Sequence, residues 1–439
     1  MDPLPAFIEA ATWHGTLELA EAILVAHPEV AGAGIHTAAI TGDDAAVRRF
    51  IAQDPSSVTA KSPPYGGDAL TYLCLSKYLR LHPERGDGFL RAAATLLDAG
   101  ADPNTGFWTT GQHPERETAL YGAAGVAHHA ALTRLLIERG ADPNDEEAVY
   151  HSPESHDLGA MQVLVETGNV TKENLALMLI RKHDWHDYDG VKYLLEHGAD
   201  PNLVRSRGLV AIHHAIVRDN ALSIIELLLD HGADPRANHP RYHKSAIAIA
   251  ARRGRGDVLD AIERRGFPIA LDGVDRLIAA CARNDAPAAR GIAEREPSLA
   301  RALLAEGGRL LAEFAGTWNT DGVRILLDLG VPVTALYEGD GYFDLAKDST
   351  ALHVAAWKLR ADIVQLLIQR GAPVNAQDDR GRTPVMLAVK ACVDSYWTER
   401  RTPEPARLLL EAGASLEGVA YPSGYAEVDA LLRRHSPRP

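Results

Sequence analysis

Absences narrow the function of this 439-residue chain before any motif does. Only three cysteines occur, Cys74, Cys281 and Cys392, far apart and with no Cys-x-x-Cys pair, so neither a disulfide framework nor a zinc ribbon is available. Buried thiols in a reducing compartment are the expectation. No window holds about 18 consecutive uncharged apolar residues, and Asp2 and Glu9 precede any apolar run, so neither a membrane span nor a signal peptide is supported and the cytoplasm is the expected location. Lysine is scarce, at 9 against 36 arginines, a bias that hints at a GC-rich bacterial source. Basic residues are outnumbered 45 to 59, and the net charge of −14 excludes non-specific attraction of the whole molecule to nucleic acid or anionic membrane.

Catalytic signatures are missing too. There is no Gly-x-x-x-x-Gly-Lys-Ser/Thr loop, no His-Glu-x-x-His, no Gly-x-Ser-x-Gly and no calcium-loop pattern. Gly254-Arg-Gly256 lacks a third glycine and reads as a turn between helices. No catalytic residue, cofactor or metal is therefore expected, and the chain reads as a non-enzyme.

What is present is a repeated phrase. Thr350-Ala-Leu-His-Val-Ala-Ala356 is followed by an apolar helical pattern to Leu366-Leu367, then Gly371-Ala-Pro-Val-Asn375, and a second Thr-Pro begins at Thr383, 33 residues after Thr350. Thr350 suits the cap of a short helix with Leu352, Ala355 and Ala356 on one face. Ile363, Val364, Leu366 and Leu367 give a second helix its apolar stripe, which ends at Gly371, where glycine takes the left-handed cap without strain. The closing phrase recurs complete as Gly-Ala-Asp-Pro-Asn at 100–104, 140–144 and 198–202, and in looser form after Gly232, Gly266, Gly330 and Gly413.

That period and phrase resemble the ankyrin repeat. The resemblance covers most of residues 7–416 and implies an all-α, curved solenoid of about twelve helix-turn-helix repeats with β-turn fingers. One array is expected over 1–439, with degenerate capping repeats at 1–61, a main array at 66–416, and a capping helix (Tyr425–Arg434, with Val428, Leu431 and Leu432 inward) and tail within 417–439. The first two units read as helical over Phe7–Leu24 and Thr37–Ile51, and a divergent unit is expected to end near Glu296-Pro297. Long inserts at Thr105–Glu117, Ala335–Asp348 and Val393–Glu404 carry Trp108, Tyr337, Tyr342, Phe343, Tyr396 and Trp397, and such inserts fall on one face, often the binding face.

Counting back from each helix-ending glycine finds positions at the end of the first helix, which in ankyrin-like units face the concave groove. They are Asp184 and Trp185, Arg218 and Asp219, Arg252 and Arg253, then Arg283, and Trp357 with Lys358. This predicts a row of mutually repelling arginines between two aromatic ends, able to engage a carboxylate or phosphate, whose reversal to glutamate would leave stability unchanged or slightly raised. The bland alternative is a solvated groove lining. His183-Asp-Trp-His186-Asp187 is the one metal-like cluster, with no obvious third ligand, and His213 and His353 suit structural roles in the repeat phrase.

The resemblance implies a non-catalytic protein-binding module, an adaptor, inhibitor or immunity-type binder, using groove and fingers. Its expected partner is a protein with an acidic patch, with no nucleic acid and no membrane, and the chain alone is expected to be a monomer. The competing reading is an enzyme or small-ligand binder with a site near His183, His186 and the arginines, for which an open groove offers little enclosure.

Overall fold

The computed structural model describes residues 2–204, 208–241, 243–395, 397 and 401–435; Tyr396 and the tail after His435 lie outside them. Backbone contacts divide the chain into two compact units, Met1–Ala233 and Asp234–Pro439. Within each, short helices alternate in antiparallel pairs, such as Ala211–Val217 with Leu222–Asp230 in the first and Ala351–Trp357 with Ala361–Gln369 in the second. The fold is an all-α repeat stack.

Local chemistry sets the element ends. Thr350 forms a capping box with His353, whose Nε2 also bonds the carbonyl of Arg382 in the following repeat, 3.0 Å away. The second helix stops at glycine, and Gly198 has φ +91, a conformation that any Cβ would strain. Ile363, Val364, Leu366 and Leu367 are buried between helices, as their spacing predicts.

The finger phrase ends in asparagine for a reason visible in both units. Asn104 Nδ2 donates to the carbonyl of Gly140 (3.0 Å) while its Oδ1 accepts from the backbone N–H of Asp142 (2.9 Å). Asn144 repeats this with Asn169 O and Thr171 N, and Asn375 with Gly413 O and Ser415 N. One carboxamide thus satisfies an acceptor and a donor of the next repeat. A buried version occurs at Asn319, whose Nδ2 donates to the carbonyls of Gly254 and Ala282 (both 2.7 Å) while its Oδ1 caps its own helix at Gly322.

The structure refines four expectations. The two leading segments are not continuous helices: Pro3–Ala11 breaks before Leu17–Ala26, and Ile35–Thr41 before Asp44–Gln53, with Trp13 (φ 47) and Gly42 (φ 72) in left-handed turns. The helix pair of the divergent unit ends at Arg295 with Glu296 as its cap, but the chain does not turn straight into the next pair. Proline instead opens an extra helix, Pro297–Ala305, its fixed φ being suited to a first turn and its missing N–H needing no partner there. Two of the long fingers are true hairpins, Gly106–Trp108 against Arg116–Thr118 and Leu336–Tyr337 against Ser349–Thr350. The last helix runs Ala426–His435, with Val428, Leu431 and Leu432 buried.

The asparagine bonds predict a graded cost. Asn319→Ala removes three hydrogen bonds in a buried site and leaves Ala282 O and Gly322 N without that partner, so it should lower stability by about 2–5 kcal/mol, whereas the exposed Asn375→Ala should cost about 1 kcal/mol. Urea unfolding of the two variants checks the order; equal costs would mean that the buried carbonyls are satisfied another way.

Candidate functional site

The residues picked out as groove positions occupy one structural place. Trp185, Arg218, Arg253, Arg283 and Lys358 each cap the C-terminus of a first helix, and each is followed by a left-handed residue: His186, Asp219, Gly254, Asn284 and Leu359. Cations are favoured there by the carbonyl end of the helix. The residue equivalent to Trp185 and Arg253 is therefore Arg218, not Asp219. The turn before Gly232 is one residue longer than its neighbours, with Arg218 14 residues ahead of that glycine and Trp185 13 ahead of Gly198.

The arginines do not stand as bare, mutually repelling charges. Arg218 Nε meets Asp184 Oδ1 at 2.6 Å; Arg252 Nε meets Asp275 at 2.6 Å and its NH1 meets Glu306 at 2.5 Å; Arg283 meets Asp260 (2.8 Å) and Glu263 (2.6 Å). Arg253 is buried, its NH1 2.9 Å from Glu313, whose side chain is 10% exposed. Carboxylates from neighbouring helices have already taken up the positive charge, which single-chain spacing could not show.

The second unit turns most of its expected contact residues inward. Trp357 is 2% exposed and donates from Nε1 to the carbonyl of Phe343 (2.6 Å), and Trp397 donates to the carbonyl of Trp357 (2.7 Å). Lys358, also buried, sets its ammonium 3.9 Å from the centre of the Phe343 ring. Tyr337 and Phe343 are buried and Tyr342 is half-buried. Burial first, then Glu313, raises the Tyr337 hydroxyl's pKa. These aromatics lock the long finger onto the helices behind it and are not free for a partner.

The first unit is different. Trp108, on its hairpin, is 63% exposed and stands at a recess of about 710 Å³ lined also by Glu115, Arg116, Asp142, Asp145, Glu146 and Glu147. Asp145 caps the helix Glu146–His151 by accepting from Ala148 N. From there a ladder of alternating charge crosses successive first helices: Glu147 to His151 (3.3 Å), His151 to Glu154 (2.9 Å), Glu154 to Arg181, Arg181 to Asp184 (2.6 Å), and Asp184 to both His214 (2.9 Å) and Arg218. Burial opposes the charge on His151, but the bonds from Glu147 and Glu154 outweigh it and hold its pKa at about 9. Burial likewise opposes the charge on Asp184, and His214 and Arg218 win, bringing it to about 2. Arg181 lies 4.2 Å over the ring of Tyr150, and Trp185, beside Asp184, is 39% exposed. Trp108 shares its recess with Glu147, Tyr150 lies under Arg181 and Trp185 adjoins Asp184, so all three border the ladder.

Sequence reasoning singled out Trp108, Asp184, Trp185 and Arg218 here and missed the carboxylates and Tyr150. A signal existed: Asp145-Glu146-Glu147 follows directly on the finger 140–144, where acidic residues suit a helix N-terminus. His183 is fully buried, and burial first, with His214 nearby, pushes its pKa down to about 3, so it does not face the groove. Among the described residues no three histidine, cysteine, aspartate or glutamate side chains gather as a metal site, and no helix is long and apolar enough to cross a membrane.

Two outcomes are expected. Arg253→Ala strands Glu313 in a buried site and should cost about 3–5 kcal/mol, while Arg283→Ala, whose partners are half exposed, should cost under about 1 kcal/mol. Thermal melts of the two variants decide it. Glu117, on the hairpin, is 3% exposed, and burial first, then Glu147 and Glu115, push its pKa up to about 7. A raised acid favours the folded state below its unfolded value and loses that contribution as pH climbs through 7. Glu117→Gln should therefore raise stability relative to the parent at pH 8 by about 1–3 kcal/mol and change it little at pH 5. A gain that is the same at both pH values would contradict the assignment.

Comparison with known proteins is informative for parts of the chain. Residues 177–270 match a family model described as ankyrin repeats (3 copies), and residues 343–388 one described as ankyrin repeats (many copies). A stretch of 84 residues, 19% of this chain, is 36% identical to serine/threonine-protein kinase 12 of Arabidopsis thaliana and spans 17% of that protein. Among solved structures, the human ASB11 ankyrin repeat domain is 25% identical, with a TM-score of 0.42, over 53% of this chain and 98% of that one.

Proposed function

Because this chain is an ankyrin-repeat protein, and such repeats are generally protein–protein interaction modules without catalysis, we propose that it binds another protein through the finger and first-helix surface of its first unit. The observation that carries this reading is the set of exposed aromatics, Trp108, Tyr150 and Trp185, that border one ion-paired ladder. Tryptophan and tyrosine are the side chains that most often anchor interfaces, since they bury large area at little entropic cost. The ladder beneath holds them in place, so binding does not have to order the floor.

The likeness to a plant protein kinase does not extend the reading to catalysis. It spans 17% of that protein, and this chain has neither a His-Arg-Asp catalytic loop nor an Asp-Phe-Gly triplet. An adaptor or an occluding inhibitor in a reducing, cytoplasmic setting fits best, supported by three buried free cysteines and a net charge of −14 that disfavours nucleic acid and membrane. The arginine bias is compatible with a bacterial origin.

The test is affinity capture from extract of the source cell with the parent, Trp108→Ala, and Trp185→Ala. Each substitution should weaken capture of the same partner by about 30-fold or more, the loss expected of an anchor residue, with an unchanged melting temperature. Full capture by both variants would remove this surface from consideration.

A further inference from the structure

The helix Leu17–Ala26 has the composition of a core element and the exposure of a surface one. Of its 10 residues, LELAEAILVA, only Ala20 is buried. It packs chiefly on Pro3–Ala11 and on the short helix Pro28–Gly32, and its outer side is open. Leu19 is 56% exposed and Val25 80%, Ala22 and Ala26 are exposed, and Ile23 is half-buried. Leu19, Ala22, Ile23 and Ala26 stand at i, i+3, i+4 and i+7, the spacing of a helix–helix seam. The second helix of a later pair, Ala361–Gln369, buries its own apolar residues Ile363, Val364, Leu366 and Leu367.

The apolar surface extends past one helix, and its charge says what covers it. The Tyr78 hydroxyl donates to Glu21 at 2.5 Å and ties Lys77–Leu81 to this helix; Leu81, one turn on from Tyr78, is 56% exposed. Single exposed apolar side chains are ordinary, whereas a group of them on adjoining helices marks an interaction surface. Residues 1–47 carry seven carboxylate side chains and neither lysine nor arginine, and the first such cation, Arg48, pairs with Asp44. Glu18 lies one turn before Ala22 and Glu21 one turn before Val25, so both border the open apolar face, and among the described residues neither forms an ion pair. A second copy of this segment would bring no lysine or arginine to meet them, and anionic lipid would be repelled.

We propose that Leu17–Ala26 is a docking surface, separate from the one around Trp108, for an amphipathic helix of a protein partner that carries lysine or arginine beside its apolar stripe. The small side chains of Ala22 and Ala26 let two helix axes approach to about 8 Å. By the helical period, Leu19 and Ile23 flank them on one side and Val25 on the other, so the partner's apolar residues close into a shallow trough. Glu18 and Glu21, on the Val25 side, then face the partner's cations. Apolar burial supplies the affinity, and the acidic flank selects a basic helix over a neutral or acidic one.

Fluorescence anisotropy of a labelled amphipathic leucine–lysine helical peptide, titrated with the full chain at low salt, tests this. Saturable binding is expected. Leu19→Gln/Val25→Gln should weaken it about tenfold or more with an unchanged melting temperature, since both side chains are exposed. Glu18→Gln should weaken it about threefold and flatten its salt dependence. Trp108→Ala should alter it less than about twofold, so that this surface and the one around Trp108 stand or fall separately. A scrambled peptide of the same composition and a leucine–glutamate helix should each bind at least about tenfold more weakly. Equal binding of the scrambled peptide would reduce the effect to attraction by an acidic protein and overturn the proposal, as would equal binding of the leucine–glutamate helix, unchanged affinity in Leu19→Gln/Val25→Gln, or no binding at all. Self-association in sedimentation that Leu19→Gln/Val25→Gln abolishes would make a second copy the occupant. Flotation with phosphatidylcholine–phosphatidylglycerol vesicles that the same variant abolishes would make it a lipid surface, and either result would also overturn the proposal.

Discussion

A side-chain carboxamide bonding the backbone of the next repeat is the interaction on which each stack rests. A helix pair this short buries too little apolar surface to stand alone, and its turns leave backbone groups that must find partners. Asn104, Asn144 and Asn375 supply a donor and an acceptor together, at a fixed distance from the helix-ending glycine, so each repeat sets the position of the next. Asn319 works from inside and in the reverse direction, its amide reaching the carbonyls of Gly254 and Ala282 in preceding repeats while its oxygen caps its own helix. Apolar packing gives the repeats their stability, and these bonds give them their register.

Register is what makes a surface out of separate segments. The charge ladder of the first unit depends on first helices presenting equivalent positions side by side: Glu147 and His151 on one, Arg181 and Asp184 on the next, His214 and Arg218 on the third. Each ion is partly buried and has a partner of opposite sign on its own helix or its neighbour. Such a floor is costly to desolvate and gains its strength from geometry, so it holds the aromatics above it in a fixed array. In the second unit the same C-cap positions serve the interior, where Arg253 pairs with Glu313 on another helix and Lys358 sits over the Phe343 ring of a long finger.

The repeat fold was legible because glycine, asparagine and small apolar residues act locally: Gly371 ends a helix and Thr350 starts one whatever surrounds them. The site was legible only in part. Trp108 and Trp185 are prominent in sequence and exposed in the structure, but Trp357 and Phe343 are equally prominent and buried. Nothing within either segment distinguishes them, since burial of Trp357 depends on the 335–348 insert folding back to offer the carbonyl of Phe343. The arginine row misled for a related reason: the acids that neutralise it, Asp275, Glu306 and Glu313, lie 23 to 60 residues away and belong to other helices. Local chemistry is written in the sequence one residue at a time, whereas pairing across helices is written only in their relative placement.

The ladder also constrains how this face can change over time. Its inner charges, His151, Glu154, Arg181 and Asp184, each touch at least two others, so replacing one of them alone leaves a partly buried ion without a partner it had. Acceptable change must come as matched exchanges, with Glu154 and Arg181, or Asp184 and Arg218, altering together. Relatives of this chain that bind different partners should therefore differ at the exposed aromatics and the recess carboxylates independently, while the ladder beneath varies in correlated pairs. The surface would diversify quickly over a floor that can move only two residues at a time.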